Sequence, residues 1–442
     1  MRKTVTAIAL AATMLTTTAG VAMAQSPSGR VVVVTSFPND LTSAFQQAFQ
    51  AAYPGVTLEV QNRNTNAGVK YLQETAANNA TDLFWASAPD AFEVLKEAGL
   101  LAQYTPKVEG IPDRIGAYHM NDPEGYYSGF AASGYGIMWN TRYLQANDLP
   151  APKEWDDLAK PIYFDHVAMA APSRSGTTHL TIETILQGEG WDKGWKTLKE
   201  ISGNFRTITE RSFGVPDGVN TGSFGLGIVI DFFALSSQAS GFPVDMVYPT
   251  VTTIVPANIA IVKNAPNRAG AEAFIDFLLS EEGQEILLNP AIRRLPVNPK
   301  TYAKAPEGYP NPFEDTSLGA AVNFDVNVSQ ARYNVVDALF DQLVTFQLAE
   351  LKTATQAIQR AEIALEKKDN AEARALVEEA RALIAAMPIT EAQASDPSIA
   401  GAFGGGGGEA RQAELEQGWA SFARTNYGNA RQKAEQALKM LR

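Results

Sequence analysis

Ala171-Pro172-Ser173-Arg174-Ser175-Gly176-Thr177-Thr178-His179 follows a β-like run, Ile162 to Ala170, and opens a helical pattern, Leu180 to Gln187. A strand, a Ser/Thr/Gly turn and a helix, in that order, form a ready-made anion cradle. The backbone N–H groups at the helix start have no partner within the helix, and the helix dipole adds partial positive charge there. Gly176 lets a ligand approach the backbone closely. Ser175, Thr177 and Thr178 supply hydroxyl donors, and Arg174 a planar fork suited to phosphate or carboxylate. Ser173 belongs to the same turn. Taken alone, these residues also describe an ordinary N-capped helix beside an exposed arginine, so the rest of the chain has to decide.

Outward from this stretch the same alternation repeats. Arg30 to Thr35 is a Val-rich strand, Leu41 to Ala52 a helix, Val56 to Gln61 a second strand, Ala67 to Asn78 a helix, Asp82 to Ala86 a third strand and Asp90 to Gly99 a helix ended by glycine. Buried apolar strands alternating with amphipathic helices make a parallel sheet. In such sheets ligands bind beyond the carboxyl ends of the strands. That rule places Ser36, Phe37, Asn39, Asn62, Arg63, Asn64, Trp85 and Ser87 at a common rim. A second α/β region runs from about 141 to 245 and carries the cradle, Arg206, Arg211, a glycine-dense loop and strand from Phe213 to Ile230, and Asp231-Phe232-Phe233. Residues 244–263 read as extended and apolar, and 269–288 as one amphipathic helix.

The 442 residues allow two or three domains, and the charge of −12 argues against nucleic acid and anionic membranes as partners. Residues 1–24 read as a secretory signal peptide. Arg2-Lys3 precede an apolar stretch that ends in Ala22-Met23-Ala24, and cleavage after Ala24 removes two positive charges, giving −12 − 2 = −14. The chain has no cysteine, and its three histidines (His119, His166, His179) stand at no metal-binding spacing. Disulfides and thiol chemistry are therefore excluded, and neither a metal nor a cofactor is expected. No G-x-S-x-G or comparable catalytic motif is present, so no catalytic residue is assigned. His179 is the only acid/base beside the cradle, and a secreted phosphate-ester hydrolase is the weakest of the readings weighed.

From about 330 the composition changes to Ala, Glu, Gln, Lys and Arg with almost no strand signal. Ala338 to Ala386 has helical spacing with a turn at Lys368-Asp369-Asn370, residues 389–408 form a loop ending in five glycines, and Glu409 to Leu441 is helical again. This reads as a helical hairpin or bundle appended to the α/β body, either a strut or a contact surface.

Trp139-Asn140-Thr141, the Val-rich first strand, the cradle, Lys263-Asn264-Ala265-Pro266-Asn267 and Ala273 to Gln284 together resemble the ferric-binding-protein-like branch of the periplasmic solute-binding proteins of ABC importers. The likeness covers roughly residues 29–320. It implies the two-lobed type 2 fold: two doubly wound α/β lobes with a hinge, here with the C-terminal α-helical extension. The expected division is lobe 1 at 25–132 and 246–325, lobe 2 at 133–245 and the extension at 326–442. The crossings are expected near 130–140 and 240–258. A monomer in the periplasm, a permease partner and no enzymatic activity are implied as well.

Iron-binding members carry an adjacent Tyr pair where this chain has Phe232-Phe233, and a hard ferric ion needs anionic oxygen ligands. Ferric iron is therefore the alternative reading. The chain looks closer to the members that bind phosphorylated organic molecules such as hexose phosphates, phosphoglycerate or phosphonates. Its extension resembles that of the phosphoglycerate regulatory members, which makes a membrane sensor kinase a second partner. The expected ligand set is Ser36, Phe37, Asn64, Trp85 and Ser87 from one lobe. From the other come Ser173, Arg174, Ser175, Gly176, Thr177, Thr178, Arg206, Arg211 and Asp231, the last accepting from sugar hydroxyls.

Overall fold

The computed structural model describes residues 26–116, 118–404 and 408–442. The expected signal peptide and the middle of the glycine run lie outside them. Strands Gly29–Thr35, Val56–Asn62 and Leu83–Ala86 pair in parallel with Gly29–Thr35 in the centre. Val31 to Val34 are all buried, as a strand covered by helices on both faces requires. On the other side Val167–Ala170 lies between Phe205–Thr209 and Leu226–Ile230, again in parallel.

One strand runs through both halves of the molecule. Ser128–Asn140 is buried along all 13 residues. Its first half pairs antiparallel with Ile254–Val262, and its second half with Leu226–Ile230 and Val244–Val247. The sheets therefore join at Gly134, where the chain crosses, and at residues 248–253, where it returns. Both crossings are tied to the helix start at Asp231. One Asp231 carboxylate oxygen accepts from the Gly134 N–H at 2.7 Å and from the Tyr248 hydroxyl at 3.0 Å; the other accepts from the Phe232 N–H. Burial pushes this carboxyl up to about 6.

Local readings differ from the sequence in three places. The strand expected from Ile162 begins only at Val167, because Pro161–Tyr163 forms a 3₁₀ turn. The glycine-dense loop holds a helix, Gly214–Thr221, with Pro216 in its first turn, where a missing N–H costs nothing. The single helix at 269–288 is two, Arg268–Leu279 and Glu281–Ile286, because Ser280 leaves the helical path and caps the second through its hydroxyl and the Gly283 N–H.

The C-terminal extension starts with helices Val326–Ala331 and Tyr333–Phe340 and continues as an antiparallel set, Leu348–Lys367, Ala371–Ala385 and Glu409–Leu441. The last helix buries Trp419, Ala423, Tyr427, Ala430, Ala434, Ala437 and Leu441, a spacing of three and four that puts small residues on one face. These helices share one hydrophobic core with the second lobe, in which Trp191, Trp195 and Leu198 pack with Leu351, Ile358 and Ile384. Lys199 fastens the join, its buried Nζ donating to the carbonyls of Ala385 and Ala386 at 3.0 and 2.6 Å, at the end of helix Ala371–Ala385.

Candidate ligand-binding site

The carboxyl ends of the parallel strands in both halves meet in a cleft. Its narrow inner end is lined by Ser36, Ser87, Ser175, Thr177, Arg211 and Arg294. It widens into a chamber of about 450 Å³ bordered by Asn39, Asn62, Asp217, Phe232, Phe242 and again Arg294.

The helix at the centre of the sequence reading spans Gly176–Glu189, longer than expected at both ends. Ser175 caps it, its Oγ accepting from the Thr178 N–H at 3.2 Å and from the Thr178 hydroxyl at 3.0 Å. Thr177 faces the cleft. Gly176 is where the lobes touch: a Cβ there would lie 2.7 Å from the Ala88 methyl and 3.0 Å from the Thr65 side chain. Its lack of a side chain serves lobe contact. Arg174 borders the cleft with its guanidinium paired to Glu210. Ser36, Phe37, Asn64 and Ser87 come to the inner end from the first lobe; Asn64 also caps helix Thr65–Thr75 by accepting from the Ala67 N–H. Arg211 donates to Asn62 of the opposite lobe at 3.2 Å and lies over Phe213.

Four expected contacts lie elsewhere. Trp85 is wholly buried among Phe37, Phe45, Phe130 and Phe274, because its side chain falls on the core face of its strand. Arg206 points away from the cleft and pairs with Asp165 on the outer surface, where Lys352 of the extension joins it. Asp231 is occupied by the two crossings, so it is not free for sugar hydroxyls. Ser173 faces the extension: its hydroxyl meets Asp341 and its carbonyl accepts from Asn66.

The residue that sequence reasoning missed is Arg294. It follows helix Glu281–Ile286 and precedes Leu295–Pro296, which pairs with Ala131 and Ala132 of the crossing strand. The side chain is 1% exposed. Nη1 donates to the Ser87 hydroxyl at 3.0 Å, while Nε and Nη2 have no partner. The guanidinium lies 3.6 Å from the centroid of Phe232 and 4.4 Å from that of Phe37. Burial lowers its pKa to about 9, and neighbouring Asp231 works in the opposite direction, so it remains charged at neutral pH. A buried cation with two idle donors is costly unless something anionic completes it. No local pattern marked it: it stands directly before the apolar run Leu295-Pro296-Val297, and its partners are distant in the sequence.

Two α/β lobes joined by one crossing strand and one returning segment, with an incompletely bonded cation in the cleft between them, define a two-lobed solute-binding protein. The chain belongs to the family of bacterial extracellular solute-binding proteins, whose model matches residues 78–316. It is 32% identical over 375 residues to the phosphoglycerate transport regulatory protein PgtC of Salmonella typhimurium, covering 84% of this chain and 89% of that one. In structure it resembles the periplasmic binding protein AfuA of Actinobacillus pleuropneumoniae with fructose-6-phosphate bound, at a TM-score of 0.65 and 21% identity over 71% of this chain and 98% of that one. It also resembles iron-bound HitA of Pseudomonas aeruginosa, at a TM-score of 0.54 and 17% identity over 66% and 95%. The protein is a periplasmic substrate-binding protein of the ABC-importer type. Among the described residues no helix is long and apolar enough to cross a membrane.

Proposed function

We propose that the cleft captures a small phosphorylated organic molecule for delivery to a permease, and the observation that carries this reading is the buried, half-bonded Arg294 guanidinium. Its two idle N–H groups present a planar fork to an oxyanion. Ser36, Ser87, Ser175 and Thr177 add hydroxyls beside it, and Arg211 a second cation. The wider chamber, walled by Phe232 and Phe242, accommodates the organic part. Ferric iron fits this chemistry poorly. Phe232 takes the face of a fixed cation where a phenolate would be needed, and a trivalent ion would sit against that positive charge. Among the described residues no group of His, Cys, Asp and Glu is placed to hold a metal. PgtC, a phosphoglycerate transport regulatory protein, is a relative that agrees with this reading.

A thermal-shift panel tests the reading. Phosphoglycerates, hexose 6-phosphates, 2-aminoethylphosphonate, inorganic phosphate, free sugars and ferric citrate would each be added to the purified protein. A bound ligand at ~100 times its Kd adds about 2.7 kcal/mol. Phosphorylated organics are expected to raise Tm and free sugars and ferric citrate to leave it unchanged; a shift with ferric citrate alone sinks the proposal. The same panel on Gly176→Ala gives a second result. The added methyl cannot fit between Ala88 and Thr65 without separating the lobes. The ligand-induced shift is therefore expected to shrink while the circular dichroism of the free protein stays unchanged.

A further inference from the structure

We infer that the start of the C-terminal extension, Val326–Phe340, is an interlobe latch that governs how far the cleft opens. The two lobes are linked by the crossing strand at Gly134 and the returning segment 248–253, and in a hinged binding protein they would otherwise part freely on both flanks of the cleft. Here one flank is tied down.

The latch is rooted in the second lobe. Arg332 is 1% exposed, and its Nε and Nη2 clasp both oxygens of the buried Glu183 of helix Gly176–Glu189 at 2.8 and 2.9 Å. The helices that follow share that lobe's core. From this root the latch reaches across to the first lobe. Ser329 donates to Asp90 at 2.7 Å, Tyr333 to the Asn66 oxygen at 2.7 Å, and Gln330 to Glu97 at 2.6 Å; Asn66 donates to Asp337 at 2.8 Å. These partners sit on the two first-lobe helices, Thr65–Thr75 and Pro89–Glu97, whose N-termini face the cleft.

The three bodies converge on His179 of the second lobe. Its Nδ1 lies 2.7 Å from Asp337 of the latch and its Nε2 3.2 Å from Asp90 of the first lobe, with the Tyr333 ring tilted against it at 4.1 Å. Opening on this flank would expose or unpair all of these groups at once. The opposite flank, bordered by Asn39, Phe242 and Ser240, carries no such tie to the extension in the described residues, so ligand entry is one-sided. The geometry thus makes undocking of the latch from helices Thr65–Thr75 and Pro89–Glu97 the condition for wide opening.

The absence of native cysteine makes a direct test clean. Spin labels on Ser43→Cys and Ala239→Cys, exposed sites on opposite lobes near the open flank, would report the interlobe distance by pulsed electron resonance in the ligand-free protein. Asn66→Ala with Ser329→Ala loosens the latch. In unlabelled protein read by small-angle scattering, Glu97→Cys with Gln330→Cys locks it when oxidised. The loosened form is expected to gain a longer-distance population that the parent lacks or holds at a lower fraction. The locked form is expected to be more compact than its reduced counterpart, or equal to a parent that is already compact. A loosened form with the parent's distance distribution, or an oxidised form as expanded as an opened reduced form, overturns the latch. Should the double variant fail to fold, Gln330→Ala loosens the latch in its place and is read the same way.

Discussion

Arg294→Ala is expected to weaken binding of the phosphorylated ligand by about 100-fold or more, since a buried charge-assisted pair is worth roughly 3 kcal/mol and each 1.4 kcal/mol is tenfold. The Nε and Nη2 donors have no partner within the chain, so their bonds belong to whatever enters the cleft. Arg294→Lys should not rescue. Its ammonium offers neither the fork nor the flat face that lies between Phe232 and Phe37. Arg294→Met separates this role from a structural one. It keeps much of the side-chain volume and removes a charge that burial disfavours. The ligand-free Tm is expected to stay within a few degrees of the parent while the ligand-induced shift disappears. Isothermal titration on the three variants checks the affinities; binding retained within threefold in Arg294→Met would remove Arg294 from the site.

The fold was legible because its signals are local and repeated. The Val31–Val34 run, the alternation of strand and helix, and the change to Ala- and Glu-rich composition after 330 each follow from period and composition, and the structure has all three. The cradle was legible only in part. Ser175 does cap a helix at the cleft, but its Oγ accepts twice from Thr178, so only its O–H is left to donate to a ligand. Gly176 was marked by its type correctly and by its purpose incorrectly, since what approaches closely is the other lobe.

Trp85 and Arg206 failed for one physical reason. A strand alternates faces at every residue, and which face a given side chain takes at the rim is fixed by pairing and packing that position along the chain does not reveal. Arg294 was out of reach for a different reason. Its meaning comes from Ser87, Phe37 and Phe232, 207, 257 and 62 positions away, and no local pattern encodes that meeting. His179 shows the same limit: the sequence offered an acid/base beside a phosphate, and the fold buries it under the extension, away from the cleft.

That burial makes His179→Ala a strongly destabilising change. Burial works against the imidazolium, but the carboxylates of Asp337 and Asp90 outweigh it and raise its pKa to about 10, so the ring is a cation between two acids at neutral pH. The groups packed round it are Asp337, Ser329 and Tyr333 from the extension and Asp90 from the first lobe. Removing one partner of a buried ion pair costs about 3–5 kcal/mol, because the others remain buried without counter-charge. Here two carboxylates would be left facing each other.

The sign of the pH dependence follows. A group whose folded pKa lies above its unfolded value of 6.5 contributes fully below 6.5, and its contribution is lost as pH rises through about 10. The parent's Tm is therefore expected to fall between pH 7 and 10, and this part of the slope to vanish in His179→Ala. Chemical denaturation at several pH values checks both slopes. A loss below 1 kcal/mol in His179→Ala, or an alkaline slope unchanged from the parent, would mean that the imidazole in this cluster is neutral and its two acids are shielded some other way.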